Sequence, residues 1–321
     1  MRLFKNATSS PPILWGMMHH LTLLAGTANP ALAEAIADDL GLSLGACRIQ
    51  RFPDSEVSVE LKASIRNHEV FLLQPTLPPV DQHLMELIAL ADACRRASAR
   101  RVVAVVPYFG YARSDKRGQK QQAIMASVVA QLLQAVGIHH LITVDLHAPQ
   151  IQGFFQGAVD SIAAAPVLCK TLRDRLPANT VIVSPDTGRM DMAIEYAHHL
   201  ATDVAVLHKQ RKSGTETEVT QVVGEVGDRP CLIIDDMVAT GSTLINTIKA
   251  LRKAGAGADI FVSATHGLFV KDALDQLAQQ PIQQIFITDT IPVLPCDRPP
   301  LQKVSVAAAI SAAIRRTMVD A

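Results

Sequence analysis

Apolar residues fall along this chain in short, nearly continuous runs. Leu21–Gly26, Val70–Gln74, Val102–Val106, Leu141–Val144, Val181–Val183, Val204–Leu207, Leu232–Ile234, Ile260–Ser263 and Ile285–Ile287 are rich in Val, Ile and Leu and do not alternate with polar residues. That pattern predicts parallel strands buried on both faces. Between the runs lie helical patterns. Ile124, Val128, Leu132, Leu133 and Val136 fall on one stripe, and His83–Ala99 and Ser161–Leu176 have the same character. Thr243–Ala254 follows a strand at once and stops at Gly255, a suitable C-cap. Strand and helix alternate as in open, doubly wound α/β sheets. The alternation occurs twice, once up to Asp145 and again from Thr180. Two domains are expected, at 21–165 and 166–321, with 1–20 as a dispensable N-terminal extension; translation starting at Met17 or Met18 fits that reading.

Composition narrows the picture. With 321 residues, 49% hydrophobic and 19% charged, the chain can bury a large aliphatic core and is not mainly disordered or coiled coil. Thirty basic side chains balance thirty acidic ones, which gives no bulk attraction to nucleic acid or to an anionic membrane. Cys47, Cys94, Cys169, Cys231 and Cys296 are widely spaced and odd in number. They predict reduced thiols in a cytoplasmic chain rather than a disulfide framework or a zinc site. No apolar run is long enough to span a bilayer.

In such sheets ligands sit beyond the carboxyl ends of the strands. After Leu232–Ile234 come Asp235 and Asp236, then Thr240-Gly241-Ser242-Thr243 at the start of a helix. Free amides, hydroxyls and the helix dipole favour a phosphate there, and the two acids can accept hydrogen bonds from ribose hydroxyls. The plainer alternative is a helix capped by Thr240 or Ser242. Asp145 and His147 follow another strand, and Ser184-Pro185-Asp186 a third. Two basic loops, Pro107–Arg117 and His208–Gly214, suit polyphosphate.

Asp145-Leu146-His147-Ala148-Pro149-Gln150-Ile151-Gln152-Gly153-Phe154-Phe155 resembles the signature of the ribose-phosphate pyrophosphokinase (PRPP synthetase) family. Arg51–Val57, Pro107–Arg113, Ser184–Asp186 and Asp235–Thr243 agree with it in order and spacing. The resemblance implies two phosphoribosyltransferase-like, mainly parallel α/β domains. It also implies transfer of the β,γ-diphosphoryl group of ATP to ribose 5-phosphate, giving PRPP and AMP. Phe52, Asp54 and Glu56 match the adenine loop, and Arg113, Asp115 and Lys116 the ATP loop. His147 and Asp186 match a pair associated with Mg²⁺, Asp235, Asp236, Thr240, Gly241, Ser242 and Thr243 the ribose-5-phosphate loop, and Lys209 and Arg211 the catalytic flexible loop. Mg²⁺ prefers oxygen and keeps several waters, so Asp186 is expected to be the harder ligand and His147 to act partly through water.

The resemblance further implies a homo-oligomer, a hexamer in the family. Inorganic phosphate is expected as activator at a site resembling Ser64, Ile65 and Arg66, with Arg96 and Ser98 nearby. Several positions depart from the pattern: Ala239 for Asp, Ser114 for Gln, Thr187 and Arg189 within a usual Gly-Gly turn, and Lys120 for a phosphate-contacting Ser. The rival readings are a non-catalytic PRPP-synthetase-associated subunit and a phosphoribosyltransferase that consumes PRPP.

Overall fold

A computed structural model describes residues 21–118, 121–213, 216–292 and 300–319, without the side chains of 209–220 and 319. The expected extension at 1–20, Lys120 and Cys296 lie outside the described residues.

Every apolar run expected as a strand is one. Leu21–Ala25 (β1), Glu69–Leu73 (β4), Arg101–Val106 (β5), His140–Val144 (β6) and Ala158–Ile162 (β7) form an all-parallel sheet in the order β1-β4-β5-β6-β7. Between β1 and β4, Cys47–Arg51 (β2) and Val57–Leu61 (β3) pair as a separate antiparallel hairpin. The second sheet holds Val181–Ser184 (β8), Val204–Ser213 (β9), Glu216–Val223 (β10), Cys231–Val238 (β11), Ile260–Gly267 (β12), Ile282–Thr288 (β13) and Leu301–Val304 (β14). Its order is β10-β9-β8-β11-β12-β13-β14, antiparallel only between β9 and β10.

Helices cover both sheets. Pro30–Leu40 (α1), Val80–Arg96 (α2), Met125–Ala135 (α3) and Ala165–Leu172 (α4) come from the first half and the crossover. Met190–Leu200 (α5), Ser242–Lys253 (α6), Ala273–Ala278 (α7) and Ala307–Val319 (α8) follow. One core lies between α2, α3 and the outer face of the first sheet, and another lies under α6 on the second. The third joins the inner faces of both sheets through α1, α4, α5 and α8, with Leu23, Phe71, Ile182, Leu232 and Phe286 among its buried residues. The last helix therefore returns to the first: Arg315 on α8 bonds Asp39 on α1.

Two expectations change. Ser161–Leu176 is not one helix. Ser161 and Ile162 end β7, pairing with Thr143 and Val144, and the helix begins only at Ala165. On α3 the buried stripe is Ala126, Val129, Ala130 and Leu133, while Val128 and Leu132 face outward, 38% and 42% exposed. This helix is apolar on most sides, so periodicity alone did not select the buried face.

Candidate active site

The carboxyl ends of β6, β8 and β11 converge. All eight residues of β11 are buried, and it carries Asp235 and Asp236 into the interior, 8% and 2% exposed. Burial pushes the Asp235 carboxyl well above the usual range, and the neighbouring Asp236 charge adds to this. Burial also opposes ionisation of Asp236, but a hydrogen bond from His147 and the Arg189 charge outweigh it, and Asp236 stays ionised.

The chain then turns through Ala239 and Thr240 into α6. Gly241 stands at the N-cap with φ +78°, and it offers no side chain to the first-turn amides. A Cβ there would lie 3.2 Å from Leu277, so both conformation and space call for glycine. Neither Thr240 nor Ser242 caps the helix. Their hydroxyls are 3.0 Å apart and face each other. The helix mouth is left with uncapped amides and hydroxyls, the arrangement that receives an anion.

His147 follows β6 and donates from Nδ1 to Asp236 Oδ2 at 2.7 Å. Asp186 follows β8, where its carboxylate accepts from the Gly188 amide at 2.9 Å. Three residues on, the Arg189 side chain turns inward. It donates from Nη1 to the His147 carbonyl at 2.9 Å and places Nη2 3.1 Å from Asp236 Oδ1 and Nε 3.4 Å from Asp235 Oδ1. Arg113, His147, Asp186, Arg189, Asp235, Asp236 and the 240–243 loop line one cavity of about 220 Å³.

Of the ATP-loop residues, Arg113 reaches this cavity, Asp115 is buried where Gln150 donates to it, and Lys116 is exposed. Phe52, Asp54 and Glu56 do not line it. They sit on the exposed turn joining β2 to β3, where Phe52 is 50% exposed, because the hairpin stands apart from both sheets. The turn is held by Arg51, which donates to the Ser55 and Gln82 carbonyls at 3.3 and 3.0 Å. Behind it the buried Glu86 accepts from Thr27 N, Thr27 Oγ1 and Gln74 Nε2 at 2.6 to 2.9 Å. Glu86 escaped the sequence reading because it sits inside an ordinary helical pattern; no local signal marks it. The side chains of Lys209 and Arg211 lie outside the described residues, although β9 carries their backbone. The Ser64–Asn67 segment and Ser98 lie together, joined by Asn67 N donating to the Ser98 carbonyl at 2.9 Å.

Two family descriptions match the chain. Residues 21–137 match the N-terminal domain of ribose phosphate pyrophosphokinase, and residues 216–320 a phosphoribosyl synthetase-associated domain. A ribose-phosphate pyrophosphokinase of Chromobacterium violaceum is 41% identical over 92% of this chain and 91% of its own length. The chain belongs to the ribose-phosphate pyrophosphokinase family. Ribose-phosphate pyrophosphokinase A of Dictyostelium discoideum is also 41% identical, over 94% of this chain and 96% of its own. The crystal structure of phosphoribosylpyrophosphate synthetase from Mycobacterium smegmatis superposes with a TM-score of 0.88 at 35% identity, covering 94% of this chain and all of that one. Family membership extends through both halves, and it supports the catalytic reading over that of a non-catalytic associated subunit. Among the described residues no helix is long and apolar enough to cross a membrane.

Proposed function

We propose that this chain transfers the β,γ-diphosphoryl group of ATP to the anomeric oxygen of ribose 5-phosphate. The supporting observation is the single cavity in which a buried acid pair adjoins an uncapped helix mouth, with His147, Asp186 and Arg113 on its rim. The helix mouth and the Thr240, Ser242 and Thr243 hydroxyls take the 5-phosphate. Asp235 and Asp236 accept ribose hydroxyls and so fix the sugar. The anomeric oxygen then attacks the β-phosphorus, and its proton passes to solvent water. The bond from that phosphorus to the α,β-bridging oxygen breaks, and AMP leaves with the electron pair. Such transfers depend on positioning and charge neutralisation. Arg113 and Lys116, with Lys209 and Arg211 from the β9–β10 ribbon, supply positive charge. Phe52, Asp54 and Glu56 are assigned to adenine.

The donor set on the rim fits Mg²⁺ arriving with ATP phosphates. Asp186 offers a hard oxygen, whereas His147 Nδ1 is already engaged by Asp236 and suits contact through water. When bound, Mg²⁺ would neutralise charge on the phosphates. The exposed apolar residues Met85, Val128 and Leu132 on α2 and α3 suit a second copy of the chain, in keeping with a homo-oligomer. Inorganic phosphate near Ser64–Arg66 and Ser98 remains the proposed activator. The four described cysteines are free thiols, which suits a cytoplasmic setting.

The test is direct. Pure protein, MgATP and ribose 5-phosphate should yield AMP and PRPP in equal amounts. Absence of both, with ATP intact, would favour the non-catalytic subunit. Consumption of added PRPP with a nucleobase would favour a phosphoribosyltransferase.

A further inference from the structure

The acid pair already has a cation. Arg189 is only 16% exposed, and its guanidinium lies among Asp235 Oδ1, Asp236 Oδ1 and the His147 carbonyl at 3.4, 3.1 and 2.9 Å. Its Nη2 also lies 2.7 Å from His147 Nδ1, and imidazole and guanidinium share Asp236 through different oxygens, Oδ2 and Oδ1. Two carboxylates and an imidazole beside a sugar-sized cavity are the donor types that attract a divalent cation. Here the centre of that group is occupied by a side chain. Among the described residues no three His, Cys, Asp or Glu side chains converge on a point where an ion could sit.

We infer that Arg189 is a positioning residue that serves as the fixed cation of the ribose subsite, so that Asp235 and Asp236 receive ribose hydroxyls without a free divalent ion bound between them and the sugar. The inference rests on the ribose-5-phosphate reading of the cavity. A guanidinium suits the task because it is always charged and its planar fork can hold two carboxylates and a carbonyl at once. The arrangement comes from a tight turn. The Asp186 carboxylate holds the Gly188 amide, which starts α5 at Met190 and sends the Arg189 side chain back under β11.

The consequence concerns metal dependence of sugar binding, separate from any Mg²⁺ carried by ATP. Without nucleotide, the wild type should bind ribose 5-phosphate by calorimetry with nearly the same Kd in EDTA and in excess Mg²⁺. Arg189→Gln keeps the reach to the His147 carbonyl but removes the charge. It should weaken binding about tenfold in EDTA, the scale of one charge-assisted hydrogen bond, and recover in Mg²⁺. Arg189→Lys keeps the charge and should lose less affinity in EDTA than Arg189→Gln, with correspondingly less recovery in Mg²⁺. In a parallel titration, Mn²⁺ followed by its paramagnetic resonance signal should bind Arg189→Gln and not the wild type. Asp236→Asn added to Arg189→Gln should abolish that binding. The inference is overturned if EDTA weakens the wild type as much as Arg189→Gln, or if the wild type binds Mn²⁺ as tightly as the variant. If no protein binds ribose 5-phosphate in either condition and the wild type forms no PRPP from MgATP, the functional reading fails instead; in either case the Mn²⁺ titration still decides the role of Arg189.

Discussion

His266 is fully buried on β12, and replacing it should change how stability depends on pH. Its Nδ1 meets the Thr290 hydroxyl at 2.9 Å, its Nε2 faces the Asp145 carbonyl at 3.3 Å, and Tyr108 packs edge-on with ring centres 5.0 Å apart. Burial lowers its pKa from 6.5 to about 4, against the opposing pull of the Asp236 charge and the Asp145 and Val144 carbonyls; His147 adds slightly to the lowering. Between those values the unfolded chain holds the proton and the folded chain does not. Stability from this group is therefore complete above pH 6.5 and lost as pH falls towards 4, by about 3 kcal/mol. Asp145 acts in the opposite sense. Burial raises its pKa from 3.8 to about 6, although Thr265 and the Ala164 amide bond it. Its contribution is complete below pH 3.8 and is lost as pH rises through 6, again by about 3 kcal/mol. The two effects share one window and nearly cancel each other, so between pH 4 and 6 the slope of the wild-type profile is left to other groups, Asp235 among them. His266→Gln keeps a donor and an acceptor but does not titrate. It should expose the Asp145 effect, so that relative to the wild type the variant loses about 3 kcal/mol as pH rises through that window. Urea midpoints every half pH unit would show it. A His266→Gln profile that stays parallel to the wild type would refute the assignment, whatever constant offset the packing change adds.

Thr243→Val should weaken ribose 5-phosphate binding by about 1.5–3 kcal/mol, the worth of one hydrogen bond to a charged group, and leave ATP binding nearly unchanged; calorimetry with each ligand checks this. Gly241→Ala forces a Cβ into left-handed backbone against Leu277 and should lower stability by about 1–2 kcal/mol while also reducing ribose 5-phosphate affinity; an unchanged urea midpoint would contradict it. Lys209→Ala should lower kcat by about 10³-fold with little change in the KM for ATP, as for other cationic fingers in phosphoryl transfer, and steady-state kinetics would reveal it.

The parts of this molecule that were legible in its sequence are those fixed by local chemistry. Buried parallel strands need continuous Val, Ile and Leu, and each such run became a strand. The hairpin of β2 and β3 was not seen as strands, because its residues are half-exposed and carry Arg48, Gln50, Ser58 and Glu60 among the apolar ones. β7, whose last two residues fall in the helical pattern Ser161–Leu176, is an edge strand of Ala-Val-Asp-Ser-Ile with no apolar run to mark it. In the site, acids, hydroxyls and glycine at strand ends pointed to the cavity because strand ends are where a doubly wound sheet opens. What they could not convey is distance between elements separated in sequence. Arg189 was visible only as a departure from a glycine turn. Its position among Asp235, Asp236 and His147 depends on how β8 and β11 pair, which no local pattern encodes. A side chain that departs from its family's motif is informative when the structure shows what it touches. At this position the departure places a permanent positive charge on the two carboxylates assigned to the sugar. The acid pair can therefore keep Asp236 ionised in a buried site before any ligand arrives.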